Sequence, residues 1–333
     1  MNKKNILILS CGTRNKVVQA FKQLDSVGML ICADSSIYAP ALYEGDIQEI
    51  IPRITNPDYL PTLFAICQKW NIKGLVSLID PELELIAEHV EDFREIGCEP
   101  MISSVAAIKN CFDKNKFSEI LNQYDFPTIP STSSITMAKT LIESGKLKFP
   151  LMIKPAKGSA SVGLNKVTKF SELDQFVDFA DELIIQEWME LQEYGIDCYV
   201  DMHSGNLVEM FIKKKLKMRA GETDKAISQH HELIRDTINN FLNKYPYQFF
   251  GTIDIDVFCD NSNCYISEIN PRFGGGYPHA QAAGLNYPEM YLNNLNNIIN
   301  PNFKEYKYKA GIVMMKYNEI MIKDIDNLKG YRQ

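Results

Sequence analysis

The sequence predicts a doubly wound α/β domain followed by an α+β region of two lobes. Over residues 1–105, short apolar strands alternate with helical segments, which is typical of βαβ units and a parallel sheet. Over residues 183–333, the strands are longer and resemble those of an antiparallel sheet. The chain has 333 residues, enough for several hydrophobic cores, and its 45% hydrophobic and 23% charged residues are typical of a soluble globular protein.

The first domain contains three predicted strands. Residues 5–10 form the first strand, which a turn at residues 11–14 connects to a helix. The strands at residues 29–33 and 74–79 end at acidic residues, and the second of them is followed by Asp80 and Glu82. Ligands of doubly wound sheets bind beyond the carboxyl ends of the strands. Asp80 and Glu82 are therefore candidates to contact an ammonium group of a substrate.

Composition and missing motifs exclude several classes of protein. The apolar run that follows Lys3 and Lys4 is too short for a signal peptide, and no segment reaches the ~20 apolar residues of a membrane span. We therefore expect a cytoplasmic protein without a membrane partner. A net charge of −7 argues against nucleic-acid binding, and a G-x-G-x-x-G dinucleotide motif is absent. The eight cysteines are scattered without a C-x-x-C pair, and we expect reduced thiols.

The second unit, residues 106–182, contains a strand that ends in a lysine. We predict helices at 113–124, 139–145 and 171–180, and strands at 149–155 and 163–167. Lys154 lies near the end of the first strand, and a loop rich in Gly, Ser and Ala follows over residues 158–163. Small residues let backbone N–H groups approach phosphate closely, and the lysine adds a positive charge. The loop is not a P-loop, because G-x-x-x-x-G-K-[ST] is absent.

The third unit, residues 183–333, begins with a strand that leads into a turn. We predict strands at 183–188, 195–202, 207–216, 251–259 and 263–269, and one long helix at about 224–244. The backbone of the turn around Trp188 has the form needed to pair with an adenine edge, and Glu193 follows where a carboxylate can accept ribose hydroxyls.

The run from residue 264 to residue 276, CYISEINPRFGGG, is the most informative segment. Glu268 and Asn270 point to the same face of a strand because side chains alternate with a period of two. Together with Asp256 on the preceding strand they form the hard-oxygen set that Mg²⁺ prefers. Asp254 is a rival to Asp256, and the choice between them stays open. Arg272 follows where a cation can hold a transferring phosphoryl group.

These segments resemble the ATP-grasp superfamily, and in particular its carbamoyl-phosphate-synthase-like carboxylate–amine ligases. The resemblance implies a Rossmann-like pre-ATP-grasp domain over residues 1–105, a small lobe with a glycine-rich flap over 106–182 and a large lobe with the Mg²⁺ site over 183–333. It implies a set of ATP-binding residues: Lys114, Lys154, Gly158, Ser159, Ser161, Gly163, Glu187, Trp188, Met189 and Glu193. It also implies Asp256, Glu268 and Asn270 as metal ligands, and Arg272 and Lys154 as catalytic residues.

The resemblance implies that the γ-phosphoryl group of ATP is transferred to a carboxylate and that an amine attacks the acyl phosphate. Mg²⁺ is the expected metal, with Mn²⁺ as a substitute. The acid is an amino acid, a small peptide or a sugar acid; alternatives are bicarbonate or carbamate activation and a non-catalytic ATP-binding protein. Small-molecule substrates are the expected partners, and a homodimer is compatible with the sequence.

The substrate side of the site is the least defined. Arg219 follows a lysine-rich strand, and its guanidinium can form a fork onto a carboxylate. Gly274 and Gly275 offer backbone N–H groups to an anion. Lys213, Lys214 and Lys215 either contact the acceptor or form a solvated edge strand.

Overall fold

A five-stranded parallel sheet forms the leading domain of this computed structural model, which describes residues 3–158, 164–219 and 221–328. The strand order is β3-β2-β1-β4-β5, which confirms the predicted Rossmann-like domain. The strands are β1 Lys4–Leu9, β2 Val27–Asp34, β3 Ile47–Ile50, β4 Ile72–Ser77 and β5 Glu99–Pro100. The helices are α1 Asn15–Lys22, α2 Tyr59–Lys69, α3 Asp80–Glu88 and α4 Val90–Glu95.

The small lobe combines helices with a four-stranded antiparallel sheet in the order β6-β9-β7-β8. Its helices are α5 Val105–Phe112, α6 Lys114–Gln123, α7 Ile135–Glu143 and α8 Phe170–Leu173. Its strands are β6 Ser131–Thr132, β7 Leu151–Pro155, β8 Asn165–Val167 and β9 Leu183–Glu187. The sequence places β9 at the start of the third unit, but in the structure β9 pairs with β7 and belongs to this sheet.

The large lobe is built on a six-stranded antiparallel sheet in the order β14-β13-β10-β11-β12-β15. Its strands are β10 Gln192–Val200, β11 Leu207–Arg219, β12 Glu222–Ser228, β13 Gly251–Cys259, β14 Cys264–Asn270 and β15 Val313–Met315. Its helices are α9 Glu232–Lys244, α10 Tyr277–Ala282 and α11 Tyr287–Leu295. Two antiparallel sheets that follow a parallel one confirm the predicted two-lobe architecture.

The predicted long helix at 224–244 is wrong in its first part. Residues 222–228 form β12, which pairs with β11, and α9 begins only at Glu232. The imidazole of His231 accepts a hydrogen bond from the Ile234 N–H and caps the helix. Pairing with β11 buries Ala226 and Ser228 of β12, so tertiary contacts decide the structure of this segment.

The leading domain and the large lobe share a hydrophobic core. One face of the parallel sheet, with Ile6 and Ile8, packs against α1 of its own domain and against α11. Phe21 of α1 makes edge-on ring contacts with Phe273 and with Tyr291 of α11, at centroid distances of 6.0 and 6.5 Å. The Tyr291 hydroxyl also accepts a hydrogen bond from the Leu75 N–H. These contacts fix the end of the parallel sheet against the large lobe.

Helix α9 closes the core of the large lobe through aromatic contacts. Phe241 is fully buried and lies 5.1 Å from the ring of Phe126 and 4.8 Å from that of Tyr245. We expect Phe241→Ala to lower the free energy of unfolding by about 3–5 kcal/mol, because it removes a buried ring and leaves a cavity. Chemical denaturation followed by circular dichroism measures this change. Leu216→Ala is the control, since Leu216 is 52% exposed, and a similar loss there would contradict the argument.

The sequence predicts reduced thiols for the eight cysteines. Cys259 and Cys264 face each other at the end of the β13–β14 hairpin with their sulfurs in contact, and the expectation of reduced thiols stays a prediction for this pair. The six other cysteines are free and buried.

Within the described ranges, every helix is too short or too polar to cross a bilayer.

Candidate active site

The two faces of the large-lobe sheet differ in chemistry. Apolar side chains such as Ile196 and Ile255 pack against α9 on one face. Side chains alternate along strands, so Asp197, Asp254 and Asp256 point to the opposite face. That charged face lies toward the small lobe and the leading domain, and the predicted metal ligands are on it.

Four oxygen-bearing side chains lie together on β13 and β14. Asp256 is paired in register with Glu268, and Asp254 with Asn270. Since the paired residues of an antiparallel ladder project to the same side, all four face one another across the two strands. The register therefore supports both Asp254 and Asp256 as neighbours of the Glu268–Asn270 pair.

The oxygen set fits a magnesium ion that is shared with phosphate groups. Among the residues described, no three carboxylate, histidine or cysteine side chains converge as a ready-made metal site. Mg²⁺ usually takes one or two carboxylates and completes its shell with phosphate oxygens and water. Burial raises the pKa of Asp256 to about 7 despite the charge of Lys215. A divalent cation would favour the ionised carboxylate.

Two buried lysines connect the acidic residues of this face. The Lys213 ammonium lies 2.5 Å from Asp197 and 3.7 Å from Asp254. The Lys215 ammonium lies 2.7 Å from both Glu193 and Asp256. The expectation of a solvated edge strand is wrong, because β11 lies between β10 and β12 and Lys213 is 1% exposed. These lysines neutralise carboxylates that would otherwise repel one another.

The predicted phosphate-binding lysines lie across from the acidic strands. A cleft is lined by Asp80, Lys114, Gly158, Glu268 and Asn270, together with apolar residues. The Lys114 ammonium donates a hydrogen bond to the Gly158 carbonyl at 2.6 Å. Burial lowers the pKa of Lys154, and the charge of Glu268 opposes this shift. The structure thus brings Lys114, Lys154 and Gly158 to the metal-ligand candidates; Ser159, Ser161 and Gly163 lie outside the described residues.

The predicted adenine turn follows β9. Glu187 accepts a hydrogen bond from the Lys148 N–H at 2.8 Å, and the Trp188 N–H donates to the Pro150 carbonyl at 2.9 Å. The Trp188 indole lies 4.2 Å below the Lys166 ammonium. Met189 follows in the turn, and Glu193 reaches the charged face, where it pairs with Lys215. The predicted adenine and ribose contacts stay predictions.

Arg272 connects the large lobe to the leading domain. Its Nη2 lies 2.7 Å from Oδ2 of Asp80, and its Nη1 donates to the Phe273 carbonyl. Both side chains are about nine-tenths buried, and Oδ1 of Asp80 and Nε of Arg272 are buried without a hydrogen-bond partner. Burial alone would lower the pKa of Arg272, but Asp80 outweighs it and the pKa is raised. The pair holds the guanidinium at the end of the metal-ligand strand.

The glycines after Arg272 lie too close to charged side chains to carry a side chain themselves. A Cβ at Gly274 would stand 2.5 Å from the Asp254 carboxylate, and one at Gly275 would stand 2.5 Å from Nη1 of Arg14. A Cβ at Gly276 would meet the Lys213 side chain at 2.7 Å. The loop therefore runs directly over the charged face.

Two of the predicted substrate residues do not support the contacts expected of them. Glu82 is buried inside the leading domain and accepts hydrogen bonds from the hydroxyls of Ser10, Tyr59 and Ser77. All three donors belong to the leading domain itself, which argues against a contact of the Glu82 carboxylate with an ammonium group of a substrate. Arg219 is 53% exposed and pairs with Asp224 at 3.1 Å, at the outer end of β11.

Sequence reasoning missed Asp197, and it left Lys213 and Lys215 open between an acceptor contact and a solvated edge strand. Asp197, Lys213 and Lys215 lie on the same face as Asp256, and Arg14 reaches the loop at Gly275 from the leading domain. The position of Asp197, among apolar residues of a predicted strand and four residues after Glu193, was a usable signal for it. Arg14 lies in the turn after the first strand, where a doubly wound sheet is predicted to bind its ligands, but the sequence does not predict its neighbours, which come from distant parts of the chain.

Two family models match this chain. Residues 6–102 match the model described as PylC-like, N-terminal domain, and residues 111–276 match the model described as ATP-grasp domain. The second match contains Lys114, Lys154, Asp256, Glu268 and Arg272.

Curated relatives are distant. A carbamoyl phosphate synthase large chain from Thermoanaerobacter sp. (strain X514) is 22% identical over 240 residues, which cover 65% of this chain and 21% of that protein. A D-aspartate ligase from Enterococcus faecium (strain Aus0004) is 22% identical over 304 residues, which cover 81% of this chain and 71% of that protein. The chain thus spans only about a fifth of the length of the first relative.

A solved structure has the same overall fold. The biotin carboxylase domain of the Hydrogenobacter thermophilus 2-oxoglutarate carboxylase, a dimer in complex with MgADP, ADP and bicarbonate, superposes with a TM-score of 0.72. The superposition covers 94% of this chain and 74% of that chain, at 13% sequence identity. This likeness agrees with the fold predicted from the sequence.

Proposed function

The chain belongs to the ATP-grasp family, and from this premise we propose that it is an ATP-dependent ligase that phosphorylates a carboxylate and joins it to an amine. The observation that carries the proposal is the assembly of the charged face. Asp256, Glu268 and Asn270 lie across from Lys114 and Lys154, and Arg272 is fixed at the strand end. Acyl-phosphate chemistry requires this combination of oxygen ligands and cations.

In this proposal the small lobe and the large lobe hold ATP between them. Lys114, Lys154 and Gly158, with Ser159, Ser161 and Gly163, contact the phosphates. Glu187, Trp188 and Met189 contact the adenine, and Glu193 contacts the ribose. All of these positions lie within residues 111–276, the segment that matches the ATP-grasp domain model.

The reacting groups meet at the ends of β13 and β14. Bound Mg²⁺, held by Glu268, Asn270 and one of Asp254 and Asp256, would neutralise phosphate charge during transfer. Arg272 stabilises the negative charge on the transferred phosphoryl group, and Lys154 holds it from the opposite side. The acceptor amine then attacks the carbonyl carbon of the acyl phosphate in a site that excludes water, the C–O bond to the phosphorus-bearing oxygen breaks, and inorganic phosphate leaves.

The substrates are proposed by class. The D-aspartate ligase among the relatives favours an amino acid as one of the two substrates. The bicarbonate in the biotin carboxylase structure makes bicarbonate the second candidate for the activated acid. In this proposal the backbone N–H groups of Gly274 and Gly275 contact the acid, and the packing of their loop against Asp254 and Arg14 supports that role.

ADP release from ATP and Mg²⁺ in the presence of a panel of carboxylic acids tests the proposal. Each acid is assayed with and without hydroxylamine, which traps an acyl phosphate as a hydroxamate. ADP and a hydroxamate with one acid are expected, and they would identify the acid. ADP release with bicarbonate alone would favour the second candidate. ATP binding without ADP release across a broad panel would contradict the ligase proposal.

A further inference from the structure

Two cations contact the carboxylate of Glu222 at the start of β12, and a third, Arg272, acts on it electrostatically. Lys316 lies 2.8 Å from Oε2 of Glu222, and Arg14 lies 3.2 Å from Oε1. Burial would raise the pKa of Glu222, but the Lys316 hydrogen bond and the charges of Arg14, Lys316 and Arg272 outweigh it, and the pKa is lowered. The three cations come from three distant segments of the chain, so the fold assembles this cluster.

The cluster lies directly on the glycine loop of the candidate active site. An ideal Cβ at Gly275 would stand 2.5 Å from Nη1 of Arg14 and 3.3 Å from the Glu222 carboxyl carbon. Because Gly275 has no side chain, the Arg14–Glu222 pair can pack closely against the loop. A side chain at this position would require the Arg14 guanidinium to shift.

The cluster also lies where a doubly wound sheet binds its ligands. The strand order reverses between β1 and β4, and ligands bind beyond the carboxyl ends of the strands at such a point. Arg14 follows β1, and Asp80, the partner of Arg272, follows β4. A ligand in this crevice would contact the leading domain on one side and the glycine loop on the other.

Glu222 differs from the carboxylates of the charged face. Asp197, at 2% exposure, is buried in the lobe, whereas the Glu222 side chain is 48% exposed at the tip of the β11–β12 hairpin. Arg14 and Lys316 are about a quarter exposed. An exposed carboxylate can be displaced from such cations by a carboxylate of a ligand at little cost, because both remain close to water.

We propose that Arg14 and Lys316 bind a second, non-reacting carboxylate of the substrate, and that Glu222 occupies this place in the absence of substrate. The proposal rests on the proposed ligase function and narrows the substrate to a small acid that carries two carboxylates. Arg272, held by Asp80 beside the metal-ligand strand, is assigned to the phosphoryl group that is transferred to the reacting carboxylate. Arg14 and Lys316 are then available to bind the second, non-reacting carboxylate.

Substitutions at the cluster make the proposal testable by binding alone. We expect Glu222→Gln to bind succinate and aspartate about 3- to 10-fold more tightly than the wild type, because the competing carboxylate is gone. Arg14→Gln and Lys316→Gln are each expected to weaken binding about 10-fold. Isothermal titration calorimetry without ATP measures these changes. Acetate, with one carboxylate, is expected to bind each variant more weakly than the two dicarboxylates bind it, and Lys304→Gln, which changes an exposed lysine of the same terminal segment, is expected to bind like the wild type.

Two results would overturn the proposal. Weaker binding of succinate and aspartate by Glu222→Gln would mean that Glu222 itself contacts the ligand. Failure of both dicarboxylates to bind either the wild type or Glu222→Gln would exclude the site. Because these titrations require no turnover, their outcome is independent of the ADP-release assay, and each proposal can fail separately. Thermal unfolding of each variant verifies that it is folded.

Discussion

Arg272→Ala is expected to lower kcat for ADP formation by ~10³-fold or more, with a smaller effect on ATP binding. Arg272 follows the metal-ligand strand directly, and its guanidinium is buried and fixed by Asp80 at 2.7 Å. A preorganised cation in a site shielded from water stabilises developing charge on a transferred phosphoryl group without having to move. Steady-state ADP release with the identified acid, together with calorimetric titration of ATP, separates catalysis from binding.

The stability of this variant needs a control of its own. Removal of Arg272 leaves the buried carboxylate of Asp80 without a partner, which costs about 3–5 kcal/mol in comparable ion pairs. The double variant Arg272→Ala/Asp80→Asn removes the uncompensated charge, so we expect its unfolding midpoint to recover while its activity stays low. Arg235→Ala removes a partly exposed arginine of α9, which pairs with Glu232 and Asp236 of the same helix, and is expected to be fully active. Recovery of activity in the double variant would show that Arg272 acts only through stability.

The metal-ligand strand illustrates what the sequence can predict. The alternation of side chains along a strand places Glu268 and Asn270 on one face without knowledge of the fold. The same periodicity places Asp254 and Asp256 on one face, and the structure brings both pairs into register. Local geometry is sufficient because the four residues belong to two adjacent strands of one hairpin.

Contacts between distant segments could not be predicted in this way. Asp80 and Arg272 are 192 residues apart, and their pairing depends on how the leading domain packs on the large lobe. The lysines of β11 resemble a solvated strand because each is charged, yet Lys213 is buried by its pairing with Asp197. Local propensity cannot reveal such pairing, since the neighbouring strand supplies the opposite charge.

The second large effect is expected for Glu268→Gln, which should lower kcat at least ~10²-fold and raise the Mg²⁺ concentration required for half-maximal activity. The substitution keeps the shape of the side chain and removes its charge. Glu268 is one of the two members of the Glu268–Asn270 pair and lies opposite Asp256 in the hairpin. A neutral amide oxygen is a poorer ligand for Mg²⁺ than a carboxylate, and Asn270 already contributes an amide.

Titration of activity with Mg²⁺ distinguishes a metal ligand from a residue that only shapes the cleft. If Glu268 binds the ion, high Mg²⁺ should restore part of the activity of Glu268→Gln. The apparent affinity of this variant for MgATP should also be lower than that of the wild type. Glu305→Gln, an exposed glutamate of the same lobe, should leave the Mg²⁺ dependence unchanged. An unchanged Mg²⁺ titration in Glu268→Gln would indicate that another acidic residue of the charged face binds the ion. Asp254→Asn and Asp256→Asn, compared in the same titration, then decide which of the two aspartates completes the site, because only the ligand should shift the Mg²⁺ requirement.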